Sequence, residues 1–109
     1  MISKELLSEV LGKKVVFVEL EETNTINAMF GIDGKLINIY ELSHKCKEWA
    51  FDKGYALLSG IDNKTFEVPK TVCTANYKLY NSWSYKCFYA DTETETIFKA
   101  CEWIMEQNK

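Results

Sequence analysis

The sequence predicts an α+β domain, a small antiparallel sheet of about five strands with helices packed on one face, in the order α-β-β-α-β-β-β-α. Two observations predict it. Three segments carry apolar residues at three- and four-residue spacing behind residues that cap helices. Between them lie short β-branched and aromatic runs bounded by Gly, Asn and Asp. At 109 residues, 47% of them apolar, the chain fits a single globular domain, residues 1–109. A domain of this size buries roughly 65% of the surface its unfolded chain exposes.

The first helix begins behind Ser3 as N-cap, with Leu6, Leu7, Val10 and Leu11 on one side and Gly12 as the stop; Ile2 and Leu7 have the spacing of a hydrophobic staple. Lys14 to Leu20 reads as a strand, the polar stretch Glu21 to Thr25 turns the chain, and Ile26 to Ile32 reads as a second strand. Asp33-Gly34 is a tight-turn signal before the short apolar stretch Leu36-Ile37. Asn38 caps a long helix from about Ile39 to Lys53 that closes at Gly54, with Ile39, Leu42, Cys46, Trp49 and Ala50 as its buried stripe. Tyr55 to Ile61 follows as a strand, with a turn at Asp62-Asn63-Lys64. Thr65 to Ala75 resumes β character across Pro69, which lacks a donor for the ladder and so predicts an edge strand or a bulge. In the aromatic segment Asn76 to Ala90 the better strand is Trp83 to Ala90. The last helix has the clearest start, a capping box of Thr92 and Glu95, and buries Ile97, Ala100, Cys101 and Ile104.

Composition narrows the function. All 13 basic residues are Lys, against 16 acids, for a net charge of −3. Arginine supplies the bidentate fork that reads phosphate and guanine, so binding to duplex nucleic acid is not expected. The same usage fits an AT-rich genome. The longest apolar runs, such as Val15 to Val18, are too short for a membrane span, and Met1 to Glu5 lacks the basic-then-apolar pattern of a signal peptide. A cytoplasmic protein is therefore expected. Cys46, Cys73, Cys87 and Cys101 form no C-x-x-C pair, so four reduced thiols are expected, with Cys46 and Cys101 facing the core.

The stretch Asn38-Ile39-Tyr40-Glu41-Leu42-Ser43-His44-Lys45-Cys46-Lys47-Glu48-Trp49-Ala50, then Gly54-Tyr55, resembles small uncharacterised bacteriophage and prophage proteins. So does the tail from Ala90 to Ile104, although those proteins often carry Pro where this chain has Thr94. The resemblance implies no activity. It implies a context, a phage-type accessory protein in a bacterial host cell that acts by binding a host or phage protein, for example as an inhibitor or modulator of a host system.

Candidate sites are few. His44, the lone histidine, shares a helix face with Glu41 and Glu48, half of a di-metal pattern whose other half is missing, so a solvated charge pair is expected and no metal or cofactor. Cys46 lies two residues from His44, a spacing that does not face on a helix, so no catalytic pair forms there and no enzyme is expected. The segment Tyr77 to Tyr89 is the candidate binding region. Alternation places Trp83, Tyr85, Cys87 and Tyr89 on one strand face and Lys86 and Phe88 on the other. In the simplest reading one face is core; in the functional reading several of Tyr77, Tyr80, Trp83 and Tyr85 are exposed anchors for a protein partner. Two alternatives accompany it. The rings, with Lys78 and Lys86, could stack single-stranded bases, or the patch could join two copies as a homodimer. A further candidate is an acidic surface of Glu19, Glu21, Glu22, Asp91, Glu93 and Glu95 that mimics a phosphate backbone.

Overall fold

Each helix starts where a short polar side chain takes up the free N–H groups of a first turn. The computed structural model describes residues 2–22, 24–62 and 70–109, the side chains of residues 20–22 excepted. Helix α1 spans Lys4–Leu11; Ser3 Oγ accepts from Leu6 N at 3.1 Å, and Gly12, at φ +71°, closes it by donating to Ser8 O at 2.9 Å. Helix α2 spans Ile39–Asp52, where Asn38 Oδ1 accepts from Tyr40 N at 2.8 Å and Glu41 N at 3.3 Å. Helix α3 spans Glu93–Gln107, and Thr92 Oγ1 accepts from Glu95 N at 3.3 Å. Among the described residues no helix is long and apolar enough to cross a membrane.

The expected single sheet of about five strands is instead two three-stranded antiparallel sheets, within the α+β class. The first joins β1 (Phe17–Glu22), β2 (Thr25–Phe30) and β3 (Asp33–Asn38); the second joins β4 (Ala56–Asp62), β5 (Lys70–Leu79) and β6 (Ser82–Ala90). The additional strand is β3. Asp33 pairs with Phe30, so the two-residue loop is Gly31-Ile32, and Asp33-Gly34 opens a strand rather than making the turn. Gly31 carries the positive φ (+73°) that such a loop needs at its first position. Of the edge strand or bulge expected from Pro69, the edge is not found, since the described part of that segment is β5, the central strand of its sheet; Pro69 and the Asn63-Lys64 part of the turn lie outside the described residues.

One apolar cluster takes a face from each sheet. Ile26, Ala28 and Ile37 enter it from the first sheet, Leu57, Cys73 and Ala75 from the second, and all three helices pack into it. Helix α3 lies along the second sheet and touches α2, which reaches β3 and β4. At the centre Leu42, Cys46, Ala50, Ala100, Cys101 and Ile104 are fully buried, and the Cys101 thiol donates to the Cys46 carbonyl at 3.6 Å.

The β5–β6 hairpin has a two-residue tip, Tyr80-Asn81, with both φ angles positive (50° and 67°). That is the handedness a two-residue loop needs to match strand twist, and it suits Asn far better than Tyr. Replacing Tyr80 with Asn should therefore raise stability by about 1 kcal/mol in urea unfolding. An unchanged or lowered midpoint would show that the Tyr80 backbone is not strained.

Candidate functional site

Strand alternation sorts the second sheet into a covered and an uncovered face. Thr71, Cys73, Ala75 and Tyr77 of β5 face the helices with Phe88 of β6; Val72, Thr74, Asn76 and Lys78 face away, and across them stand Tyr89, Cys87, Tyr85 and Trp83. Leu58 of β4 joins this outer face opposite Thr74. Among the described residues no helix lies over it, and Trp83 is 72% exposed, Tyr85 70% and Leu58 67%. Trp83 and Tyr85 are two residues apart on one strand, about 7 Å, close enough for one partner side chain to touch both rings. Polar groups flank them: Thr74 Oγ1 and Cys87 Sγ lie 3.6 Å apart, and Asn76 Nδ2 donates to Ala56 O at 3.4 Å.

The four aromatic candidates therefore separate. Trp83 and Tyr85 share the uncovered face, and Tyr80 stands at the hairpin tip beyond it, 93% exposed. Tyr77 does not join them. It is half-buried on the opposite face, its ring centroid 5.5 Å from Tyr55 and 5.7 Å from Trp103, where Phe88 also packs against Trp103 at 5.8 Å. Lys86 belongs to that inner cluster as well, with its ammonium 5.4 Å from the Trp103 ring centroid. Of the two lysines in the segment, only Lys78 shares the face of Trp83.

The acidic candidates divide between elements. Glu19 is exposed on β1 opposite Asn27, and the side chains of Glu21 and Glu22 lie outside the described residues. Asp91 and Glu93 are exposed and Glu95 half-buried at the start of α3, where Glu93 accepts from the Ser59 hydroxyl. His44 Nε2 meets Glu48 Oε1 at 2.8 Å, with both side chains largely in solvent. Among the described residues no three His, Cys, Asp or Glu side chains come together as a metal site.

Two further surfaces had no sequence signal. Phe17 and Leu36 are exposed on the outer face of the first sheet. A cavity of about 730 Å³ opens between α2 and the start of α3, with Ile26, Ile39, Ile97 and Phe98 in its lining. These residues come from three elements, so no local pattern brings them together.

No protein-family model matches the chain, and comparison with curated proteins and with solved structures returns no match. Function is therefore read from the geometry.

All four cysteines are free, and only Cys87 is not fully buried. Burial pushes the Cys73 thiol from 9.0 up to about 11, with Glu93 and Cys87 adding to the rise and Lys47 opposing it. A hydrogen bond with Cys46 and then burial push Cys101 up as well. Iodoacetamide should accordingly modify Cys87 first and all four thiols only after denaturation. The folded state holds the Cys73 proton more tightly than the unfolded chain does. Its contribution is therefore complete below pH 9 and is lost as pH rises through 11, a decline of about 3 kcal/mol once the folded-state thiol is also ionised. Cys73→Ala should flatten that part of the stability curve, and an unchanged slope would remove Cys73 as its cause.

Proposed function

We propose that this protein is a non-catalytic binding module, that the uncovered face of β4–β6 is its recognition surface, and that its partner is another protein. One observation carries the proposal: Trp83 and Tyr85 stand side by side on a sheet face that no helix among the described residues covers. Large exposed apolar patches are uncommon on monomers, and Trp and Tyr dominate the binding energy of protein interfaces because they bury much area for few rotatable bonds. Leu58, Val72 and Tyr89 extend the apolar surface, and Tyr80 presents a third ring beyond its edge. In the setting implied by the resemblance of α2 and α3 to phage proteins, the partner is a host or phage protein in the bacterial cytoplasm.

Single-stranded nucleic acid is the second reading, because an open sheet with outward rings also stacks bases. The scarcity of cations on this face favours protein. Lys70 and Lys78 are accompanied by Asp62, Lys86 belongs to the inner cluster, and the chain has no Arg to track a phosphate backbone.

Trp83→Ala should leave the urea midpoint nearly unchanged, as expected of a ring 72% exposed. It should weaken a partner captured from host extract by about 2 kcal/mol or more. A loss of about 3–5 kcal/mol of folding stability would mean that Trp83 belongs to a core, and the proposal would fail. It would also fail if the variant kept its partner, or if labelled oligonucleotides bound with a steep salt dependence that Trp83→Ala abolished. Sedimentation equilibrium covers the remaining case, since a homodimer lost in Trp83→Ala would assign the face to a second copy of the chain.

A further inference from the structure

We propose that the cavity between α2 and α3 binds a small amphiphilic amine, a molecule with a compact apolar body and one cationic nitrogen. The site is separate from the aromatic face. On the N-terminal side of the Cys46–Cys101 contact, residues 39–47 of α2 and residues 92–98 at the start of α3 flank the space, and Asn24 and Ile26 close it, the first at the entrance to β2 and the second within it. Its volume of about 730 Å³ falls in the range that holds small ligands, roughly 300–1,000 Å³.

The floor is apolar. Ile26, Ile97 and Phe98 belong to the central cluster and Ile39 packs against it, yet all four also line the cavity, so one side of each is offered to whatever fills the space. The rim carries the charge. Its cation, Lys47, donates from Nζ to Ser59 Oγ at 3.0 Å, and the Ser59 hydroxyl donates to Glu93, so ammonium and carboxylate are joined through a single hydroxyl. His44 at the opening is paired with Glu48. The lining thus carries two carboxylates, Glu93 and Glu95, against the one ammonium of Lys47, so carboxylates outnumber ammonium groups on the rim. The same carboxylates occupy the first turn of α3 and answer the positive end of its dipole, which removes the usual attraction of a helix N-terminus for an anion. Tyr40, exposed at the edge, adds a ring over which a cation can lie. An apolar amine satisfies floor and rim together, whereas an apolar carboxylate meets the wrong sign.

The test titrates 2-phenylethylamine, 3-phenylpropionate and 2-phenylethanol against the full chain, observed by isoleucine methyl NMR. The amine should shift the methyls of Ile26, Ile39 and Ile97 with an affinity of about 1 mM or better, and the carboxylate should bind at least about tenfold more weakly. The double variant Glu93→Gln/Glu95→Gln should reduce amine binding about tenfold and make it indifferent to salt. Ile39→Trp, which fills the cavity, should abolish it; Thr94→Trp at the rim is the second block should the first fail to fold. Trp83→Ala should bind the amine normally, which separates this site from the sheet face. Equal or tighter binding of the carboxylate, or of the neutral alcohol, overturns the assignment. So does amine binding that survives both the charge-removing and the cavity-filling variants, or no shift of these methyls at millimolar amine.

Discussion

The close approach of α2 to α3 is the contact on which the rest of the structure depends. It is made by small residues: Cys46 and Ala50 on α2 meet the region of Ala100 and Cys101 on α3, with Cys73 and Ala75 of β5 adjacent, all without exposed surface. Small side chains let the backbones come close enough for the Cys101 thiol to reach the Cys46 carbonyl. The larger side chains Leu42, Ile97 and Ile104 fill the space around them. Interiors are packed as densely as organic crystals, so a larger residue here would have to push either helix off a sheet. Because α2 also touches β3 and β4 while α3 lies on β4, β5 and β6, this one contact fixes the second sheet relative to the first.

That arrangement explains the bare surfaces. Three helices contribute to a cluster that needs only one face from each sheet, and nothing among the described residues is left to cover the other two faces. Antiparallel sheets tolerate a solvated face when it is polar. Here it is mixed: among polar residues, Trp83, Tyr85 and Leu58 stand exposed on one outer face and Phe17 and Leu36 on the other. The inner face of the second sheet shows the contrast, since its rings are packed, with Tyr55, Tyr77, Phe88 and Trp103 within 5.5–5.8 Å of one another in successive pairs. Aromatic content alone does not mark a surface; the side of the strand does.

What could be read from the sequence divides along the same physical line. Helix starts were legible because capping is local chemistry: Ser3, Asn38 and Thr92 each bond within three residues. The shared face of Trp83, Tyr85, Cys87 and Tyr89 was legible from period two, which needs only a strand. Which face was core was not, because both carry rings, and Phe88 packs against Trp103 on α3 and the central cluster, contacts of the tertiary fold. Tyr77 was misgrouped for a related reason. Strand β5 runs on to Leu79, so Tyr77 continues the inward row of Cys73 and Ala75 instead of joining the rings after the hairpin. Strand β3 hid because Asp-Gly reads as a turn, while the turn itself is made by Gly31 and a fully exposed Ile32.

The two candidate surfaces meet at β4, where neighbouring residues serve opposite sides. Leu58 points to the aromatic face, while Ser59 points inward and joins Lys47 to Glu93 beside the cavity. A strand held by a ladder on one side and by α2 and α3 beneath it has little freedom to tilt, so each surface is presented by a backbone that the core has already ordered. That matters for recognition, because a preformed surface loses less conformational entropy on binding than a loop does. The chemically reactive groups fit the same picture. Cys46, Cys73 and Cys101 are packed in the core, with the last two held in the thiol form by burial and hydrogen bonding, and the imidazole of His44 is engaged with Glu48 at the surface. In this structure these groups serve packing and surface pairing.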